Sequence, residues 1–292
     1  MIIQKSDYAT ILKVTAAVPK ETAVTFTKNA VIAETCGVTV QAKINWPDTT
    51  TVAFPAGVFK KSLFKGDSTF LGSIPTVPVT AEPRRASEKG IEELGTISAD
   101  DAMVMFYTAK KAKDFPMFVA NKGNTVLCAN LYSSSSYGIT FVDAVSEKNF
   151  SFSVDKDYSA GIIKALSKIG GDKYILEKSG DIIVLRQDNI DIIFDSLGDS
   201  PALKDWTNVP VPIAEYEFPD MTLKKKYTVI VGDTITDSDD KSENCYLSTT
   251  MRDIKKVMGE DEKIIKYAET DTLGYFFNKD FSACFVCGKM KK

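Results

Sequence analysis

The sequence contains no histidine. That absence removes Ser-His-Asp and Cys-His nucleophile arrangements, imidazole general bases and every histidine-containing metal site. Neither G-x-x-x-x-G-K-[S/T] nor G-x-G-x-x-G occurs, so phosphate-cradling loops of those forms are missing too. Cysteine is scarce: five residues at 36, 128, 245, 284 and 287, an odd number at irregular spacing, argue against a disulfide framework and for a reducing compartment. Cys284 and Cys287 form a C-x-x-C, but no second ligand pair stands at zinc-site spacing, and residues 281–288 read as a buried terminal strand. The acidic stretch 233–240 lacks the glycine and terminal glutamate of an EF-hand loop, so a solvated loop is expected there. No apolar run approaches the roughly 20 residues needed to span a bilayer, and the N-terminus has no signal-peptide organisation. These absences lead us to expect an intracellular, cytoplasmic protein that is not an enzyme, with no catalytic residues, no metal, no cofactor and no membrane partner.

What is present is a balanced globular composition, 44% apolar and 26% charged, with a net charge of −3. At 292 residues the chain can hold two domains of ordinary size. An internal repeat organises it. Asp7-Tyr8-Ala9-Thr10-Ile11-Leu12-Lys13 recurs as Asp157-Tyr158-Ser159-Ala160-Gly161-Ile162-Ile163-Lys164, about 150 residues later with one inserted position. The match continues into residues 24–32 and 174–183, where apolar positions alternate on either side of a polar turn.

Each unit reads as a short strand, an amphipathic helix and a run of strands joined by tight turns. Helices are expected at 7–18, 101–113, 156–169 and 251–259. A short helix around 56–64 is also possible. Longer connections, 47–95 and 198–244, separate paired units and share the cores Thr76-Val-Pro-Val-Thr80 and Asn208-Val-Pro-Val-Pro212. The expectation is an α+β chain of four β-α-β-β-β units in two domains, 1–145 and 146–292.

This organisation resembles the DNA sliding-clamp superfamily, the PCNA-type and bacteriophage processivity factors in particular. The resemblance implies a two-domain DNA-clamp fold with helices inside a ring and sheets outside. It implies a processivity factor that encircles duplex DNA without sequence specificity, tethers a DNA polymerase, is placed by a clamp loader and assembles with itself, a trimer being favoured. Two other readings stay open: an open monomeric or dimeric viral processivity factor, whose basic flap is sought at 223–227 or Arg84-Arg85, and a β-rich structural or interaction protein that does not bind DNA.

A surface facing duplex DNA gains from Lys and Arg, because DNA carries one negative charge per about 1.7 Å of axis. The helices supply them in an otherwise acidic chain: Lys13 on the first, with Lys20 just beyond it; Lys110, Lys111 and Lys113 on the second; Lys164 and Lys168 on the third; Arg252, Lys255 and Lys256 on the fourth. Lysine near a helix C-terminus is also common simply because it suits the helix dipole. It is the repetition across equivalent helices that assigns these residues to DNA. The resemblance further implies that partners dock short peptides in an apolar groove, assigned here to the 143–148 linker (Asp143, Val145) and the terminal strand near Val286.

Overall fold

In the computed structural model the described residues are 2–46, 50–60, 68–70, 75–79, 90–113, 116–121, 125–133, 136–146, 148–198, 209–217, 224–232, 234–242, 245–259 and 261–290. The chain runs β1 (Ile2–Gln4), α1 (Lys5–Ala16), β2 (Ala23–Thr27), β3 (Ala30–Thr35), β4 (Val38–Lys43), β5 (Val52–Pro55), a 3-10 turn η1 (Ala56–Val58) and β6 (Ser68–Phe70). It continues with β7 (Glu92–Ser98), α2 (Ala99–Lys110), β8 (Met117–Asn121), β9 (Thr125–Ser133) and β10 (Ser136–Val145). Next come β11 (Phe150–Ser153), α3 (Lys156–Ile169), β12 (Lys173–Ser179), β13 (Ile182–Gln187) and β14 (Ile190–Asp195). The last third holds β15 (Ala214–Glu217), β16 (Tyr227–Val231), β17 (Thr234–Ser238), β18 (Cys245–Leu247), α4 (Ser248–Met251), α5 (Ile254–Met258), β19 (Ile264–Glu269), β20 (Leu273–Phe277) and β21 (Ala283–Gly288).

The helix ends follow local chemistry. The α2 helix begins at Ala99 because the Ser98 hydroxyl accepts from the Asp101 amide at 3.0 Å and donates to its carboxylate at 2.6 Å, a reciprocal cap. It stops at Lys110, ahead of Pro116, so Lys111 and Lys113 lie beyond the helix rather than in its last turn. The α3 helix spans the expected residues: Asp155 caps the Asp157 amide, and Gly170 ends the helix at φ 67. The expected helix at 251–259 is instead two short pieces. At their junction the Asp253 amide bonds to the Thr250 carbonyl in a tighter i→i+3 step, and Arg252 falls between them. Only η1 forms in the described part of the possible helix at 56–64, and residues 61–64 lie outside the described residues.

The division at 1–145 and 146–292 is not how the chain packs. One compact unit holds residues 1–110, 144–148 and 154–198; the other holds 111–143, 149–153 and 199–292. The first unit is built on an antiparallel sheet in the order β5, β2, β3, β4, β14, β13, β12, β7. Helices α1, α3 and α2 pack side by side along it. Alternation places Val38, Val40 and Ala42 of β4 toward the helices and Gln41 on the other face, with Val38 against Gly161 of α3. Phe106 of α2 meets Phe194 of β14 edge to face at 5.7 Å.

The second unit carries the order β11, β8, β9, β10, β21, β20, β19, β15, followed through a single parallel bridge by β17, β16 and β18. Strand β21 is buried on both faces, as expected of the terminal strand: Phe285 and Cys287 join a core with Tyr246, Met251 and Phe276, whereas Cys284 and Val286 join Leu127, Ile139 and Tyr275. The two thiols of the C-x-x-C therefore point to opposite sides of the sheet, and burial pushes both well above the ordinary thiol range.

The strand pairings also show how the repeats combine. Each repeat has a leading strand before its helix and a first strand after it, and repeats exchange leading strands in pairs. Thus β7 pairs with β12 while β11 pairs with β8. The same reciprocal exchange links β1 with β6 and β5 with β2, and again β15 with β19 and β18 with β16. The connections 47–95 and 198–244 thus carry the strands of two further repeats, the second and fifth of six. Each keeps its leading strand, β5 or β15, and its first strand, β6 or β16, but no α-helix lies between those strands among the described residues. Six repeats form three exchanged pairs: first with second, third with fourth, fifth with sixth.

Candidate nucleic-acid interface

Helix α1 buries Tyr8, Ile11 and Val14 and turns Lys5, Ala9, Lys13 and Ala16 to solvent, with Lys20 exposed just past its end. These positions follow helical spacing; Ser6 is exposed beside them, Asp7 is half-buried, and the fully exposed charges of α1 are Lys5 and Lys13. Lys5 was missed by a helix start placed at Asp7; its separation of eight residues from Lys13 is the signal that would have found it.

Helix α3 turns Asp157, Ala160, Ser167 and Lys168 outward, with Lys164 half-buried on the same side, and buries Ile162, Leu166 and Ile169. Tyr158, expected in the apolar stripe, is half-buried and packs over Gly37 in the β3–β4 turn. Helix α2 is less basic than expected. Its exposed face carries Asp100, Val104 and Tyr107 before Lys110, and the two apolar side chains are 46% and 50% exposed.

In the second unit Arg252 and Lys256 are exposed and Lys255 is half-buried, but Lys256 forms an ion pair with Asp253. Lys111 and Lys113, exposed beyond α2, fall in this unit as well. The nine cationic residues expected to meet DNA are therefore not equivalent. Lys13, Lys164 and Lys168 stand on well-formed, adjacent helices, whereas the remainder sit at helix ends, between helices or beside an acid.

The residues assigned to partner docking separate. Asp143 and Val145 are exposed near the end of β10, but Val286 is 0% exposed and sits in register with Tyr137 and Tyr275, so it cannot line an open groove. Ser146 and Lys148 are tied to the strand β7: the Ser146 hydroxyl bonds to the carbonyls of Leu94 and Lys148, and the Lys148 ammonium to Glu92 at 2.9 Å. Among the described residues no group of three or more Cys, Asp or Glu could hold a metal ion. No described helix is long and apolar enough to cross a membrane. Lys224 to Lys226 of the basic segment 223–227 are described and exposed; Leu223 and the Arg84-Arg85 pair lie outside the described residues.

Exchanged repeats, a helix layer against continuous sheets and basic exposed helix faces together define the fold of a DNA sliding clamp. Solved clamps share it over the whole chain. The chain is similar to the DNA polymerase III beta chain of Streptococcus pneumoniae, at a TM-score of 0.64 and 10% identity, covering 100% of this chain and 99% of that one. It is similar to the DNA polymerase sliding clamp of Pseudomonas aeruginosa at 0.63 and 10%, with 100% and 99% covered, and to a putative DNA polymerase III beta subunit of Eubacterium rectale at 0.62 and 10%, with 99% and 98% covered. No family model matches the sequence, and no curated protein does. At this identity the likeness is one of fold.

Proposed function

We propose that the protein is a polymerase sliding clamp: it does no chemistry, closes into a ring around duplex DNA and tethers a DNA polymerase. The observation that carries this reading is the pair of exposed lysines on α1, Lys5 and Lys13, beside an α3 whose outward side carries Lys164 and Lys168 after a single acid, Asp157, in its first turn, in an acidic chain with the clamp fold. Such a surface makes non-specific phosphate contacts that permit sliding, and tethering raises the local concentration of polymerase at the primer end. Polymerase and loader are expected to dock through short peptides; Asp143 and Val145 are the part of the assigned groove that solvent reaches.

The strand pairings supply a rule for closing the ring. The last strand of the first repeat, β4, pairs with the last strand of the fourth, β14, and β10 of the third pairs with β21 of the sixth. Continued once more, the rule joins the fifth repeat of one copy to the second repeat of the next, a head-to-tail contact between unlike surfaces. The width of the helices then supports a copy number. Two repeats side by side, each taken as one helix width across, occupy about 20 Å, so six pairs round a circle leave a hole roughly 28 Å across, three about 9 Å and nine about 47 Å. A duplex is about 20 Å wide. Three pairs per chain thus favour two copies over the trimer that a two-domain chain implies.

Light scattering should give twice the 32.1 kDa chain mass. Encirclement is tested by letting the protein thread onto linear duplex and then blocking both ends with bulky groups. Complexes should survive high salt only when the ends are blocked, and Lys13→Glu, Lys164→Glu and Lys168→Glu together should weaken their formation. Equal dissociation from blocked and open DNA would sink the ring.

A further inference from the structure

A groove of about 1300 Å³ crosses the first unit's sheet over strands β4, β14, β13, β12 and β7, and clamp function makes no use of it. Part of its floor is a bonded network of Gln41, Asp191, Arg186 and Glu177 on the sheet face turned away from the helices. The groove is acidic in an acidic chain. Asp7, Glu93, Glu177 and Asp191 line it against Lys43 and Arg186, four acids to two bases and a net charge of −2.

Two acceptors in this floor have no hydrogen-bond partner. Glu177 is only 7% exposed; its Oε1 accepts from Arg186 at 3.0 Å, but its Oε2 accepts from no group of the protein. Gln41 directs its amide nitrogen to Asp191 at 3.1 Å, and its Oε1 is buried and unbonded as well. Leaving a buried acceptor unpaired is costly, and native proteins seldom do so without a reason. Glu93 sharpens the imbalance: it stands directly opposite Glu177 in the β7–β12 register, and like charges facing each other across a strand pair repel.

The missing complement is a hydrogen-bond donor that carries positive charge. A bare metal ion does not fit. A hard cation takes about six oxygen ligands or more, and among the described residues no group of three or more Cys, Asp or Glu could hold one. The Arg186 guanidinium already bridges Glu177 and Asp191. The two open acceptors stand on β12 and β4, whose strands lie three spacings, or about 14 Å, apart. A compact amine reaches one of them; an elongated one reaches both.

We propose that this groove binds an elongated organic cation, with one ammonium or guanidinium group seated between Glu177 and Glu93 and a second donor at Gln41. A linear polyamine carries this chemistry, and so does a basic side chain on an extended peptide. The site stands apart from DNA binding, because the lysines assigned to DNA are on helices across the sheet.

The test is isothermal titration calorimetry of the full chain with spermidine and, separately, with a capped pentapeptide of four glycines around a central arginine. Binding of one or both at one site per chain supports the proposal and identifies the source, and the peptide with citrulline in place of arginine should not bind. Glu177→Gln should weaken the bound probe by about tenfold, because a charge-assisted bond becomes a neutral one. Glu93→Gln should weaken it by about threefold, and since Glu93 is exposed this variant keeps the test open should Glu177→Gln fail to fold. Glu92→Gln removes the neighbouring acid on the other face of β7 and should leave the affinity unchanged. Neither probe binding, or equal losses in Glu93→Gln and Glu92→Gln as bulk attraction to an acidic chain would give, overturns the proposal and leaves the clamp reading untouched.

Discussion

Replacing Arg186 with methionine is expected to destabilise the first unit by about 3 kcal/mol at neutral pH. Arg186 sits on β13 and reaches both neighbouring strands: its Nε donates to Asp191 of β14 at 2.8 Å and its NH1 group to Glu177 of β12 at 3.0 Å. Gln41 of β4 donates to the other Asp191 oxygen at 3.1 Å, so the network crosses the β4–β14 junction. The two carboxylate side chains are only 9% and 13% exposed, which leaves them with little water to replace the guanidinium. Breaking a buried pair costs about 3–5 kcal/mol, and the lower end applies because Arg186 is itself 32% exposed. Removing all three charges, as Arg186→Met/Glu177→Gln/Asp191→Asn, should recover most of the stability, since no carboxylate is then stranded.

The pH dependence has a definite sign. Burial holds the Glu177 carboxyl above its ordinary value of 4.5, outweighing the pull of Arg186, while Asp191 and Glu93 push it the same way as burial. A group whose folded pKa is raised contributes stability that is complete below its unfolded pKa and is lost as pH rises through the folded one. Without Arg186 that shift grows, so the deficit of the variant should be small in mild acid and widen as pH rises above the ordinary glutamate range. Urea unfolding followed by circular dichroism at several pH values measures both effects. A single variant costing under about 1 kcal/mol, or a triple variant worse than the single, would refute the stranded-charge argument.

Two further outcomes follow from the packing. In the second unit the Tyr246 and Tyr267 hydroxyls meet at 2.6 Å and Tyr267 donates to Glu269 at 2.5 Å, so Tyr267→Phe should cost about 2–3 kcal/mol by orphaning a buried hydroxyl. Tyr246→Phe/Tyr267→Phe should cost less than the sum of its single variants in a double-mutant cycle, and simple additivity would count against the chain of bonds. At Gly161 a Cβ would sit 3.2 Å from a Val38 methyl, so Gly161→Val should lower stability by about 2 kcal/mol, whereas Gly161→Ala should be nearly neutral, its helix propensity offsetting the crowding. Equal melting temperatures for the two Gly161 variants would mean that α3 does not rest on β4.

Elements governed by local signals were legible in the sequence. Asp155 and Gly170 bracket α3, and its apolar stripe has helical period, so its ends could be read directly. The terminal strand carrying Cys284 and Cys287 was equally plain, because an unbroken apolar run fits a strand buried on both faces. The second and fifth repeats could not be read that way. Strands β5, β6 and β15 are only three or four residues long, and what identifies them is pairing with β2, β1 and β19, a long-range fact with no local signature. Without those pairings each passed for a connection, and four repeats were counted where strand exchange joins six. Val286 was misjudged for a related reason: the pattern shows that the strand is apolar, but not that β10 and β20 close over it from both sides.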